Sequence, residues 1–310
     1  MAPVTGAPIV IVGPTGSGKS NLGVQLAVRL GACQIISADA MSVYRGMDVG
    51  TAKPTEAERA GVTHHLIDVV DPTEEFDVAQ FQHHVADALA QVESSGERAV
   101  LVGGTGLYVR AVVDDFDTPP KFPDLAAELS AEPDTAMLHS RLAELDPLAA
   151  TRMEPGNRRR VLRALEVTLG SGRPFSSFGP GVDAYPPTRF VQLGLEIDRS
   201  SLDARINARF DQQMERGFLD EVALLPRPLS RTASQALGYR ELLRHLDDGA
   251  PLAEQVEEAK KRTRRFARRQ QRWFRRDPRI RWLDALSPTL IDDALTALAE
   301  ADRSDSDANQ

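Results

Sequence analysis

The sequence predicts an α/β fold: a P-loop NTPase-like parallel sheet flanked by helices and carrying a small helical insertion. Three observations lead to it. Apolar runs without alternation, Ile9-Val10-Ile11-Val12 and Ala99-Val100-Leu101-Val102, read as strands buried on both faces. The first run enters Gly13-Pro14-Thr15-Gly16-Ser17-Gly18-Lys19-Ser20, which meets the pattern G-x-x-x-x-G-K-[ST] in full and is followed by a helix-like run from Leu22 to Leu30. Residues 119–188 then interrupt the strand–helix alternation with a helical, arginine-rich stretch that ends in Gly, Pro and Ser.

The glycine-rich loop carries its own chemistry. Glycines let successive backbone N–H groups turn inward around a phosphate, and the helix N-terminus adds unpaired donors and a partial positive charge. Lys19 supplies a mobile cation for the outermost phosphate, and the Ser20 hydroxyl is a ligand for Mg²⁺. A bound di- or triphosphate is the expectation.

Further along, Gln34 to Asp39 reads as a second strand ending in a carboxylate. Ligands of open parallel sheets sit beyond the carboxyl ends of the strands, so Asp39 is a candidate neighbour of the P-loop. Residues 42–54 have the glycines of a structured loop and no clean period. His64 to Pro72 reads as a short strand and its exit. Adjacent strand residues point to opposite faces, so His64 and His65 are not expected to share an ion, while Asp68 is a candidate Mg²⁺ carboxylate. Phe76 to Val92 is an amphipathic helix. The run Ala99 to Val102 leads into Gly103-Gly104-Thr105-Gly106, a second glycine-rich turn whose Thr105 hydroxyl is placed to meet a ligand.

The expected organisation is a core in two parts, 1–118 and 189–300, around an insertion at 119–188, with a disordered acidic tail at 301–310. Leu202, Ile206, Phe210, Met214 and Phe218 recur every four residues as the buried stripe of one helix, with Arg205 and Arg209 at its margin. Ten cations lie between Lys260 and Arg276 on a basic helix, 256–276, whose seam reads as Val256, Ala259, Phe266 and Trp273. Like charges at this spacing repel, and acidic partners look scarce, so an anionic partner such as a phosphate backbone is expected. This local charge outweighs the net charge of -8 over 310 residues as a guide to partners. No apolar run approaches a membrane span, Met1 to Gly6 lacks a signal-peptide pattern, and the single cysteine, Cys33, excludes an internal disulfide. A cytoplasmic monomer is the expected form.

Several stretches together, the P-loop, Ile36 to Pro54, His65-Leu66-Ile67-Asp68 and Val102 to Tyr108, resemble the bacterial tRNA dimethylallyltransferase, or IPP transferase, family. Arg163-Ala164-Leu165-Glu166-Val167, Gly238-Tyr239-Arg240 and Arg272-Trp273-Phe274 extend the resemblance over nearly the whole chain. It implies transfer of a dimethylallyl group from dimethylallyl diphosphate to N6 of the adenosine next to the anticodon (position 37) of tRNA. It also implies roles: Gly13, Pro14, Thr15, Gly16, Ser17, Gly18, Lys19 and Ser20 for the diphosphate, with Mg²⁺ on Ser20. Asp39 matches the family's base, Thr105 a residue contacting the reactants, and Arg209 an arginine on the diphosphate. Contact with the tRNA anticodon stem-loop is implied for Asp39, Ala40, Met41, Ser42, Thr105, Arg159, Arg160, Arg163, Arg240, Arg264, Arg268 and Arg272. The pattern departs at Leu125-Ala126-Ala127, where family members often carry an arginine. A small-molecule or nucleoside kinase using ATP shares the P-loop and sheet, and an RNA-binding module with a vestigial nucleotide site shares the basic helix.

Overall fold

The computed structural model describes residues 6–308, with side chains described as far as Ser304. Most of the segment lacking a signal-peptide pattern, and the last two residues of the expected tail, lie outside that range. The chain divides into two compact units, Met1–Val113 with Pro187–Gln310, and Asp114–Pro186.

In chain order the larger unit opens with β1 (Ile9–Val12), α1 (Lys19–Leu30), β2 (Cys33–Ser37), α2 (Glu56–Arg59), β3 (His64–His65), α3 (Val78–Ser94), β4 (Arg98–Gly103) and α4 (Gly106–Val113). The smaller unit holds α5 (Pro123–Ser130), α6 (Thr135–Leu145), α7 (Pro147–Thr151) and α8 (Arg158–Ser171). The larger unit resumes with β5 (Val191–Glu196), α9 (Arg199–Glu215), α10 (Phe218–Leu224), α11 (Arg231–Ser234), α12 (Tyr239–Asp248), α13 (Leu252–Phe274), β6 (Arg281–Asp284) and α14 (Leu290–Ala308).

The six strands form one parallel sheet in the order β3-β2-β4-β1-β5-β6. Residue parity assigns the faces. Val10, Val12, Ile36 and Leu101 join one core with α3, α4, α10 and α12, while Ile9, Ile11, Ile35 and Val100 join another with α1 and α14. Burial on both sides explains the missing alternation in these strands. The smaller unit has a core of its own, including Leu129, Leu138, Leu142, Val161 and Leu165.

Three expectations change. The stripe from Leu202 to Phe218 belongs to two helices, because Gly217 turns left-handed at φ 87° and starts α10. The buried seam of α13 is Ala259, Thr263, Ala267, Gln270 and Phe274; of the expected seam only Ala259 is fully buried. Small residues line this seam because the helix lies close to the loops beneath it. The tail is helical to Ala308: Ala301 is buried and the Asp302 carboxylate accepts a forked pair from Arg98 at 2.8 and 3.0 Å.

The loop from Gly46 to Pro54 owes its shape to distant side chains. The Glu221 carboxylate accepts from three successive amides, those of Asp48 (2.8 Å), Val49 (2.6 Å) and Gly50 (3.1 Å), and from the Tyr239 hydroxyl (2.6 Å). Gln213 donates to the carbonyls of Val49 and Gly50. A Cβ on Gly50 would meet the Phe218 ring at 2.1 Å, so only glycine fits there. Lys53 donates to the Tyr44 carbonyl and to the carboxylates of Asp48 and Asp68.

Glu221→Gln replaces one acceptor oxygen with an amide facing those donors. It is expected to cost about 1–3 kcal/mol in urea unfolding; a loss below about 0.5 kcal/mol, the level of an ordinary surface change, would contradict the clamp.

Candidate active site

The P-loop leaves β1 at the centre of the sheet, and the turn at Gly103-Gly104-Thr105 leaves β4 beside it. Gly16 (φ 87°) and Gly18 (φ 97°) take the left-handed conformations that fold the loop back on itself. The amides of Lys19 and Ser20 open α1 and, like the first amides of any helix, have no partner within it. Helix α9 backs the loop: Ile206 lies under Gly16, the Arg205 guanidinium donates to the Ser17 carbonyl at 3.5 Å, and Arg209 Nη2 donates to Thr15 Oγ1 at 2.6 Å.

Asp39 stands just past β2, one strand beyond β4. Its Oδ1 accepts from the Met41 amide at 2.9 Å, and its carbonyl accepts from the Ser42 hydroxyl at 3.2 Å. Thr105 Oγ1 accepts from the Ala40 amide at 3.2 Å, joining the exits of β2 and β4. Asp39, Lys19 and Arg209 lie within electrostatic reach of one another. Lys19 keeps part of its surface open, yet protein atoms crowd its ammonium. That burial lowers its pKa to about 8; Asp39 pulls it back up and Arg209 pushes it further down. Burial also lowers Arg209 from its ordinary value, against the pull of Asp39. Two polar atoms in this cradle, Ser17 Oγ and Arg209 Nε, are buried without a hydrogen-bond partner. Buried orphans beside crowded cations suit an anion that brings its own acceptors.

Thus Thr15, Ser17, Lys19, Asp39, Thr105 and Arg209 come together. Asp68 follows the edge strand β3; its amide donates to the Ser42 carbonyl at 3.2 Å, and its carboxylate is held by Lys53. His64 and His65 bond separately to the Val62 carbonyl (2.8 Å) and to Gln34 (2.6 Å). Burial lowers the pKa of both rings. No group of three or more His, Cys, Asp or Glu side chains able to hold a metal occurs among the described residues. The Ser20 side chain is exposed and has no hydrogen-bond partner among the described residues.

Gln270 is a site residue that sequence reasoning passed over. It lies on the buried seam of α13 and hydrogen-bonds to the amide of Thr15 and the carbonyl of Gly104. The signal it leaves in the sequence is its place three residues past Ala267, continuing the i+3, i+4 pattern that Ala259, Thr263 and Ala267 begin.

The basic helix carries more acidic partners than expected. Lys260 pairs with Asp211 and Glu257, Lys261 with Glu258, Arg262 with Glu241, Arg268 with Asp203 and Arg275 with Glu196, while Arg264 donates to Asn207. Most of these partners come from α9 and α12, which the sequence pattern of α13 alone does not reveal. Arg265, Arg269 and Arg272 are in no ion pair among the described residues, and they line an open groove of about 470 Å³ with Arg268, Gln271 and Arg275. Arg240 is exposed on the first turn of α12. In the smaller unit Arg159 and Arg160 are exposed, whereas Arg163 pairs with Glu166 and donates to the Pro119 carbonyl. Leu125, where relatives often carry arginine, packs against that unit's core.

A loop of the G-x-x-x-x-G-K-[ST] pattern at the centre of a parallel sheet, with the Thr105 hydroxyl past β4 and the Asp39 carboxylate past β2, defines a P-loop α/β protein. The model of the family described as IPP transferase matches residues 42–277. The tRNA dimethylallyltransferase of Bifidobacterium animalis subsp. lactis is 45% identical over 307 residues, covering 97% of this chain and 89% of its own length. That of Paenarthrobacter aurescens is 47% identical over 299 residues, covering 94% and 96%. Among solved structures, the tRNA isopentenylpyrophosphate transferase of Bacillus halodurans is 37% identical with a TM-score of 0.71, covering 97% of this chain and 100% of that one. A eukaryotic dimethylallyltransferase acting on tRNA is 27% identical with a TM-score of 0.79, covering 99% and 80%. This chain belongs to the IPP transferase family.

Proposed function

We propose that this protein transfers a dimethylallyl group from dimethylallyl diphosphate to N6 of the adenosine next to the anticodon, at position 37, in tRNA, releasing diphosphate. The observation that carries the proposal is the gathering of Lys19 at the start of α1, Arg209 on α9 and Asp39 just past β2, two cations and one carboxylate within electrostatic reach about the P-loop. An anionic leaving group suits the cations, and an amine that must lose a proton suits the carboxylate. Membership of the family and the exposed arginines of α13 add support.

In this reaction the carbon–oxygen bond of the allyl diphosphate breaks and its electron pair leaves with the diphosphate oxygen. The P-loop amides, Lys19 and Arg209 hold that oxygen's charge as it develops. The lone pair of N6 forms the new nitrogen–carbon bond. Because that lone pair is delocalised into the purine, the amine is a poor nucleophile, and Asp39 accepts its proton as the bond forms. Thr105, bonded to the amide of Ala40 next to Asp39 in the chain, steadies this corner. The adenine reaches the cleft by leaving its stack, at a cost of a few kcal/mol that a single-stranded loop lowers. Arg265, Arg269 and Arg272 offer unpaired charge to the RNA backbone, while Arg264 and Arg268 are partly committed to α9.

The donor set fits Mg²⁺ held through Ser20 and the ligand's own oxygens, because this ion needs few protein ligands and keeps its waters. When bound it would neutralise charge on the leaving diphosphate. A cytoplasmic, monomeric enzyme accords with this reading, and no helix among the described residues is long and apolar enough to cross a membrane.

Incubation of the protein with unmodified tRNA and either dimethylallyl diphosphate or ATP tests the reaction. Mass gain of one dimethylallyl group on RNA from the prenyl donor alone is expected; phosphorylation of a small molecule from ATP without prenyl transfer would refute it. The pH dependence follows from Lys19, whose pKa is about 8 before ligand binds. Below that pH the ammonium is already charged. Above it, binding must take up a proton, so affinity for dimethylallyl diphosphate falls by up to about tenfold per pH unit. Calorimetry from pH 7 to 9 should record this decline in the wild type and its loss in Lys19→Met.

A further inference from the structure

Gln270 faces inward from α13 while Arg269 and Arg272, within a turn of it, face the open groove. Both ends of its amide are used. Oε1 accepts from the Thr15 amide at 2.9 Å, across 255 residues of sequence, and Nε2 donates to the Gly104 carbonyl at 2.8 Å. One side chain therefore holds the P-loop and the exit loop of β4 at a fixed separation. Glycine at 104 is what admits it, since a Cβ there would lie 2.4 Å from Gln270 Nε2 and 3.1 Å from the Gly13 carbonyl. A buried amide is costly unless both its ends are bonded, and an apolar side chain of the same length would fill this space without that cost. The two hydrogen bonds are what the glutamine adds.

We infer that Gln270 is a positioning residue through which the arginine-bearing helix sets the geometry of the diphosphate cradle. RNA docking on the outer face of α13 and diphosphate binding in the P-loop are thereby coupled. The inference rests on the prenyl-transfer reading, which supplies the two ligands. The physical path is short: one rigid helix, one side chain and two main-chain groups. A shift of α13 changes the hydrogen bond to Thr15 directly, and coupling between two ligands is reciprocal by linkage.

The test uses the full chain, with inorganic diphosphate as the probe, followed by calorimetry with and without an anticodon stem-loop RNA. In the wild type, RNA is expected to tighten diphosphate binding by about fivefold or more. Gln270→Met keeps length and volume and removes both hydrogen bonds. It is expected to weaken diphosphate binding about tenfold, to leave the affinity for RNA alone within about twofold, and to abolish the tightening by RNA. Gln270→Asn keeps the amide but is one methylene too short to span the two loops. It should behave alike, and it serves if the first variant fails to fold. Folded variants that bind diphosphate as the wild type does, or that keep the wild-type response to RNA, would overturn the inference. So would a wild-type diphosphate affinity indifferent to RNA. Prenyl transfer by the wild type, assayed in parallel, separates the two readings: absence of transfer counts against the proposed reaction, whereas the binding measurements judge Gln270 without turnover.

Discussion

Two cations and one carboxylate crowd the P-loop at the carboxyl edge of the parallel sheet, Lys19 from α1, Arg209 from α9 and Asp39 from the exit of β2, and the surrounding structure holds them there. Lys19 and Arg209 are desolvated, which weakens their hold on their protons, and Asp39 compensates only in part. Placing two cations in such a site costs free energy that an anionic ligand can return. The cradle is rigid for reasons outside it. Arg209 is tied to Thr15, Gln270 ties Thr15 to Gly104, and Thr105 ties the exit of β4 to that of β2. Each tie joins segments far apart in sequence, so the site exists only in the folded chain.

In the proposed chemistry this rigidity has a direct use. Donors already aimed at the place where charge develops need not reorganise during the reaction, and a poorly solvated site strengthens their effect. The asymmetry of the site assigns the roles. The P-loop side is cationic and rich in amide donors, and it suits the departing oxygen. The Asp39 side offers an acceptor, with one oxygen engaged by the Met41 amide. The clamp of Glu221, Gln213 and Lys53 on residues 46–54 fixes the far end of the segment that continues from Asp39.

The central strands, the P-loop, Asp39 and Thr105 were legible because their signals are local: an apolar run, glycines at fixed spacing, a polar residue just past a strand. Arg209 was legible by periodicity as a margin residue of its helix and by the family resemblance as an arginine on the diphosphate, but its contact with Thr15 spans 194 residues and had no local signal. The roles of Gln270 and Glu221 were not legible: Gln270 keeps the spacing of the buried seam of α13, but neither its two main-chain partners nor those of Glu221 exist until the chain folds. The seam of α13 was misread because Phe266 and Trp273 weigh heavily in an apolar periodicity, whereas close approach to the loops selects Ala259, Thr263 and Ala267. The arginines looked unpartnered for a similar reason: Asp203, Asn207 and Asp211 lie on α9, far away in the chain. The acidic tail read as disordered because composition does not show that Arg98, buried at the start of β4, needs Asp302.

Proton acceptance by Asp39 is tested most directly by the single-turnover rate of Asp39→Asn with saturating dimethylallyl diphosphate and anticodon stem-loop RNA. The substitution is isosteric and keeps an oxygen to accept from the Met41 amide, but it removes the proton acceptor. A rate lower by about two to four orders of magnitude is expected, with both ligands bound nearly as tightly as before. A variant that turns over within a few-fold of the wild type would contradict it.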